Sequence, residues 1–182
     1  NEITPAILRI LAAGVLSGVL IKTGAAASIS HSIVKTLGRR HVYLAVALST
    51  MLLTGVGVFI DVAVITVAPI ALLLASRLSL SRASLLLAMI GGGKCGNIMS
   101  PNPNTIIAAE NYDAPLSSVM GAGVVPALIG LVVTVYLIVP MMSRKKDESL
   151  YFEEIKDESL PSFFASISGP LVAVILLSLR PI

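Results

Sequence analysis

Long apolar tracts set the terms for this chain. Ile3 to Ile21, Val42 to Ser76, Ser84 to Ala109, Leu116 to Met142 and Phe163 to Leu179 each approach or exceed the roughly 20 residues an α-helix needs to cross a ~30 Å hydrocarbon core. A bilayer offers backbone N–H and C=O groups no partners, and the period-2 alternation of a barrel strand is missing, so helices are the expected spans. The composition agrees: 55% hydrophobic residues, 13% charged residues and a mean hydropathy of +0.93 are too apolar for an ordinary soluble domain. The expected fold class is an all-α polytopic membrane protein.

Loop charge supplies the topology, because Lys and Arg close to a span tend to stay cytoplasmic. Basic clusters occur at Lys35, Arg39 and Arg40, at Arg77 and Arg82, and at Arg144, Lys145 and Lys146; the short loop with Glu110 and Asp113 has none. A single crossing by the tract 42–76 would put the first two clusters on opposite sides. At about 35 residues it would also measure ~52 Å as a straight helix, too long for one span. A re-entrant hairpin reconciles both facts, with its turn marked by Gly55 and Gly57 and followed by Asp61.

The expected organisation is one partial transporter domain, 1–182. It comprises a transmembrane helix at 3–21, an amphipathic interfacial helix at 23–41, the hairpin at 42–76 and a broken transmembrane helix at 84–109. A transmembrane helix at 116–142, a solvated cytoplasmic loop at 143–162 and the start of another span at 163–182 complete it. The amphipathic assignment rests on Ile29, Ile33, Val34 and Leu37 at helical spacing, with His31 on the polar face. The chain begins without Met and stops at "LLSLRPI", and the expectation is of a piece of a larger protein. One cysteine, Cys95, excludes an internal disulfide framework, no Cys/His cluster has metal-ligand spacing, and a net charge of +3 gives no reason to expect nucleic acid.

The chemistry concentrates in "IGGGKCGNIMSPNPNTIIAAEN", from Ile90 to Asn111. Pro101 and Pro103 lack an N–H and push the preceding residue out of the α region. The glycines make the rest pliable, so Gly91 to Thr105 is expected to be unwound. Such a segment bares N–H groups at one helix end and C=O groups at the other, which suits an anion and a cation. The substrate-binding candidates are Gly92, Gly93, Lys94, Asn97, Ser100, Asn102, Asn104 and Thr105: a cation for a carboxylate, with amides and hydroxyls for sugar oxygens. Taken one at a time, the glycines are better read as permitting close helix packing, and Lys94 has snorkelling to an interface as its alternative. "GGGK" lacks the spacing of a phosphate loop. Asp61, the only charged residue within its tract, is expected to face a cavity, pair, or carry a proton, and is the candidate for proton coupling.

"GVLIKTGAA", "GVFIDVAVITVAPIA", "GGGKCGNIMSPNPNTIIAAE" and "GPLVAVILLSLRPI" together resemble the gluconate permease (GntP) family of proton symporters, within the ion transporter superfamily. Cys95 stands where a small residue such as Ala is expected. The resemblance implies a multi-pass carrier of the bacterial inner membrane, built from two inverted repeats and roughly twice this length. It implies symport of gluconate or another small carboxylate, whether sugar acid, hydroxy acid or amino acid, with protons and no cofactor. Such carriers commonly dimerise, so a homodimer is the protein partner it implies. Two other classes remain open from the residues: a passive channel, since "PNPN" resembles the Asn-Pro turns of water channels, and an intramembrane enzyme using Asp61 and Lys94. No nucleophile-base pair at helical spacing supports the enzyme, and a transporter with no catalytic residue is the expectation.

Overall fold

The structure, a computed structural model, describes residues 3–142 and 160–179, and is helical with no strand among them. The basic cluster 144–146 and most of the expected loop 143–162 lie outside the described residues. The helices are α1 (Ile3–Lys22), α2 (Ala25–Leu37), α3 (Val42–Gly55), α4 (Ile60–Leu78), α5 (Arg82–Ile98), α6 (Pro103–Asn111), α7 (Leu116–Val133), α8 (Val139–Met142) and α9 (Phe163–Leu179). A π-helical turn at Thr134–Ile138 joins α7 to α8, so Leu116–Met142 reads as one rod.

That rod is 27 residues long and, among the described residues, is the one helix with the length and apolarity to cross a membrane. Much of its surface is open: Val124, Val125, Leu128, Ile129 and Val132 are exposed, as befits side chains that lipid can solvate. Val42–Gly55 and Ile60–Ser76 are apolar but shorter. At 1.5 Å per residue, the 14 residues of α3 reach only about 21 Å.

α3 and α5 form the most extensive helix pair, and glycine permits it. A Cβ on Gly92 would collide with the Ala47 carbonyl, and one on Gly96 with the Met51 carbonyl and the Thr54 hydroxyl. The two positions are four apart, so they lie one above the other on the face of α5 that meets α3. Such a close approach brings backbone against backbone, and dispersion across it contributes to holding the pair together.

Here the structure corrects the sequence reading. Gly91 to Asn97 was expected to unwind, yet α5 stays helical through Ile98. Glycine costs roughly 1 kcal/mol in a helix, but an opened backbone in an apolar setting costs several kcal/mol per orphaned group. The glycines therefore serve packing, and the unwinding is confined to Met99–Asn102.

One buried cluster includes Ile29, Val46, Leu53, Val58, Val67 and Leu85; a second joins Ala47, Met51, Ala88, Leu131 and Val139; a third, Ile106, Ala109, Leu116 and Met120, seats α6 on α7. The first half of α2 is buried, at Ala25, Ala26, Ser28, Ile29 and Ser30, while His31 and Lys35 are exposed. Small side chains let that half pack closely against α3.

Candidate site where two helix breaks meet

The first break, Val56–Phe59, follows from a helix that stops on glycine. Gly57 takes φ +98, a left-handed conformation that L side chains rarely adopt. The Val58 N–H donates to the Leu53 carbonyl at 3.0 Å and the Gly57 N–H to the Thr54 carbonyl at 3.0 Å, the paired bonds of a Schellman ending. The backbone closes this end unaided. α4 then begins after Phe59, which offers no side-chain cap, and Asp61 lies in its first turn.

The second break, Met99–Asn102, is built differently. Pro101 and Pro103 remove two donors; the Met99, Ser100 and Asn102 N–H groups donate to the Gly96, Asn97 and Ser100 carbonyls, and side chains complete the closure. Asn102 caps α6: its Oδ1 accepts from the Asn104 N–H at 2.8 Å and the Thr105 N–H at 3.3 Å. Its amide hydrogens are shared among the Asn97 carbonyl, the Ser100 hydroxyl at 3.2 Å and the Thr105 hydroxyl at 2.9 Å. The Ser100 and Thr105 hydroxyls also donate to the Asn97 carbonyl, at 3.1 and 3.4 Å. Ser100, Asn102 and Thr105 are all buried.

The two breaks touch. The Pro101 ring lies 3.9 Å from where a Gly57 Cβ would stand, and the end of Met99 lies 3.3 Å from the corresponding point at Gly55. The Thr54 hydroxyl donates to the Gly93 carbonyl at 2.9 Å, binding the end of α3 to the last turns of α5. Ile60 packs its side chain against Gly93. Asp61 and Lys94 are next in sequence to that contact, each turned about 100° further round its helix.

The candidates therefore divide. Gly92 and Gly93 are buried in helix packing; Ser100, Asn102 and Thr105 are buried in the second break; Asn97 is half-buried; Asp61, Lys94 and Asn104 are exposed. Lys94 shares an exposed stripe with Ile90 and Ile98 on α5, and Asp61 shares one with Ile65 on α4. No ion pair joins Asp61 to Lys94 among the described residues. An apolar groove of about 470 Å³, lined by Ser32, Ile33, Thr36, Leu37, Leu48, Leu52 and Phe163, includes none of these candidates.

Thr54 was missed from the sequence. The signal was a hydroxyl directly before Gly55, at the end of an apolar helix where a carbonyl of a neighbouring helix could need a donor. Its partner, Gly93, lies 39 residues away, which no local pattern reveals.

Comparison with known proteins gives a consistent picture. A model of the GntP family permeases matches residues 5–182. An uncharacterized transporter of Haemophilus influenzae is 55% identical over 99% of the chain and 43% of its own length. A high-affinity gluconate transporter of Escherichia coli is 26% identical over 90% of the chain and 37% of its own length. The chain thus spans less than half the length of the curated relatives it matches. No solved structure gives a significant match.

Proposed function

The chain belongs to the GntP permease family, and from that premise we propose that it forms part of a secondary active transporter that moves gluconate or a related small carboxylate together with a proton. The proposed setting is the bacterial inner membrane, crossed several times, with the hairpin tip between α3 and α4 and the break between α5 and α6 at mid-depth. The gluconate transporter among its relatives supports the substrate class. The observation that carries the reading is the contact between the two breaks, Gly57 against Pro101 and Gly55 against Met99.

Two helix breaks in contact gather the uncapped start of α4 and the buried polar side chains of the second break into a polar spot where lipid could not sustain one. Lys94 supplies positive charge for the carboxylate. Asp61, in the first turn of α4, is the group that takes up and gives back the proton; as a neutral acid it adds no repulsion to an anionic substrate, and as a carboxylate it does. Proton and substrate then favour each other's binding, which is the linkage a symporter needs. The exposed stripes bearing Asp61 and Lys94 suit a surface covered by the remainder of a longer transporter, since an ionisable group facing hydrocarbon costs at least a few kcal/mol.

The test uses the full-length transporter in proteoliposomes with labelled gluconate. Asp61→Asn is expected to abolish accumulation driven by a proton gradient while leaving the protein inserted and exchange of substrate across the membrane intact. Normal gradient-driven accumulation by this variant would remove Asp61 from the coupling role.

A further inference from the structure

Asn97 and Asn102 lie five residues apart in the same polar stretch, and composition alone gives them one role. Their hydrogen bonds do not. Every polar atom of the Asn102 carboxamide is engaged within the break: Oδ1 with two α6 N–H groups, and Nδ2 with the Asn97 carbonyl and the Ser100 and Thr105 hydroxyls. It is 2% exposed. An amide in that state has no donor or acceptor left for a ligand.

The Asn97 carboxamide makes no hydrogen bond among the described residues; only its backbone carbonyl is engaged. It is half-buried, one residue from the end of α5. Its place is set by helical spacing. Lys94 is three residues back, and residues three apart are neighbours on a helix surface. Gly93 is four residues back and packs against Ile60, the first residue of α4. The Asn97 side chain therefore stands beside Lys94 on the flank of α5 that turns toward the start of α4, where Asp61 lies.

We infer that the two asparagines divide the work of the site: Asn97 contacts the substrate, and Asn102 is a positioning residue that holds the α5–α6 break in shape. This rests on the carboxylate-carrier reading. A carboxylate with neighbouring hydroxyls meets the ammonium of Lys94 and the amide of Asn97, which donates to a carboxylate oxygen or accepts from a hydroxyl. Asn102 acts one step removed, by holding the α5–α6 break in one shape.

The experiment measures gluconate uptake kinetics and thermal stability for the full-length transporter in proteoliposomes. Asn97→Ala is expected to raise KM by about tenfold or more, the loss of one hydrogen bond to a charged group, with Vmax within about twofold and thermal stability unchanged. Asn102→Ala is expected to lower thermal stability and Vmax with KM within about twofold. Should that variant fail to fold, Asn102→Ser keeps an oxygen to cap α6 but lacks the amide donors, and the same split of lowered Vmax at unchanged KM is expected. An unchanged KM for Asn97→Ala, or a KM rise in the Asn102 variants equal to that of Asn97→Ala, overturns the division. Wild-type protein with no saturable uptake of gluconate or of any small carboxylate in a panel overturns the carrier reading instead.

Discussion

The break after α3 and the break after α5 solve one problem in two ways. Both end a helix in apolar surroundings, where each unpaired backbone group is expensive. The first is closed by backbone alone, through the left-handed Gly57 and its two returning N–H bonds. Five residues beyond it, at Val62, the side chains are still apolar apart from Asp61. The second adds side chains to its backbone bonds, with Asn102 as the hub and Ser100 and Thr105 as spokes. A backbone closure leaves the following helix start uncapped and open to a ligand or a charge; a side-chain closure fills its own helix start. The consequence is an asymmetric pair in which α4 begins bare beside Asp61 and α6 begins capped by Asn102.

The hardest way to break this comparison is to separate the two closures. They meet because α3 and α5 approach at Gly92 and Gly96, so Gly92→Val is expected to destabilise the transporter by about 3 kcal/mol or more, since a branched side chain must displace the Ala47 backbone. Thermal unfolding in detergent measures it, and an unchanged midpoint would mean that the pair is not held there. Asn102→Ala tests the side-chain closure. Losing the cap and orphaning buried partners should cost about 2–3 kcal/mol in the same assay. Gly57→Ala tests the backbone closure, and its smaller expected cost, about 1–2 kcal/mol, comes from forcing an L residue into a left-handed conformation. If Gly57→Ala proves the more damaging of the last two, the ranking of the closures is reversed.

Much of this was legible beforehand. Proline and glycine act on their own neighbours, so "SPNPNT" announced a break and "TGVG" a turn, and both interruptions are present, at Met99–Asn102 and Val56–Phe59. The family likeness, carried by the same motifs, agrees with the match over residues 5–182. What failed was the extent of the unwinding. "GGGKCGN" reads locally as pliable, yet it is helical because its glycines are needed for an approach to a helix some 40 residues earlier in the chain. The same blindness merged Asn97 with Asn102, since two identical side chains differ only in which atoms surround them.

Sequence by itself determined that this chain is helical, where its helices are interrupted, and which polar groups stand at the interruptions, because those properties follow from hydropathy and from each residue's own backbone limits. Tertiary structure alone decided that the interruptions touch, that the glycines pack instead of opening, and that Asn102 turns inward while Asn97 does not. Those outcomes depend on which carbonyls and side chains distant segments bring within bonding range, and no residue carries that information in its own covalent structure.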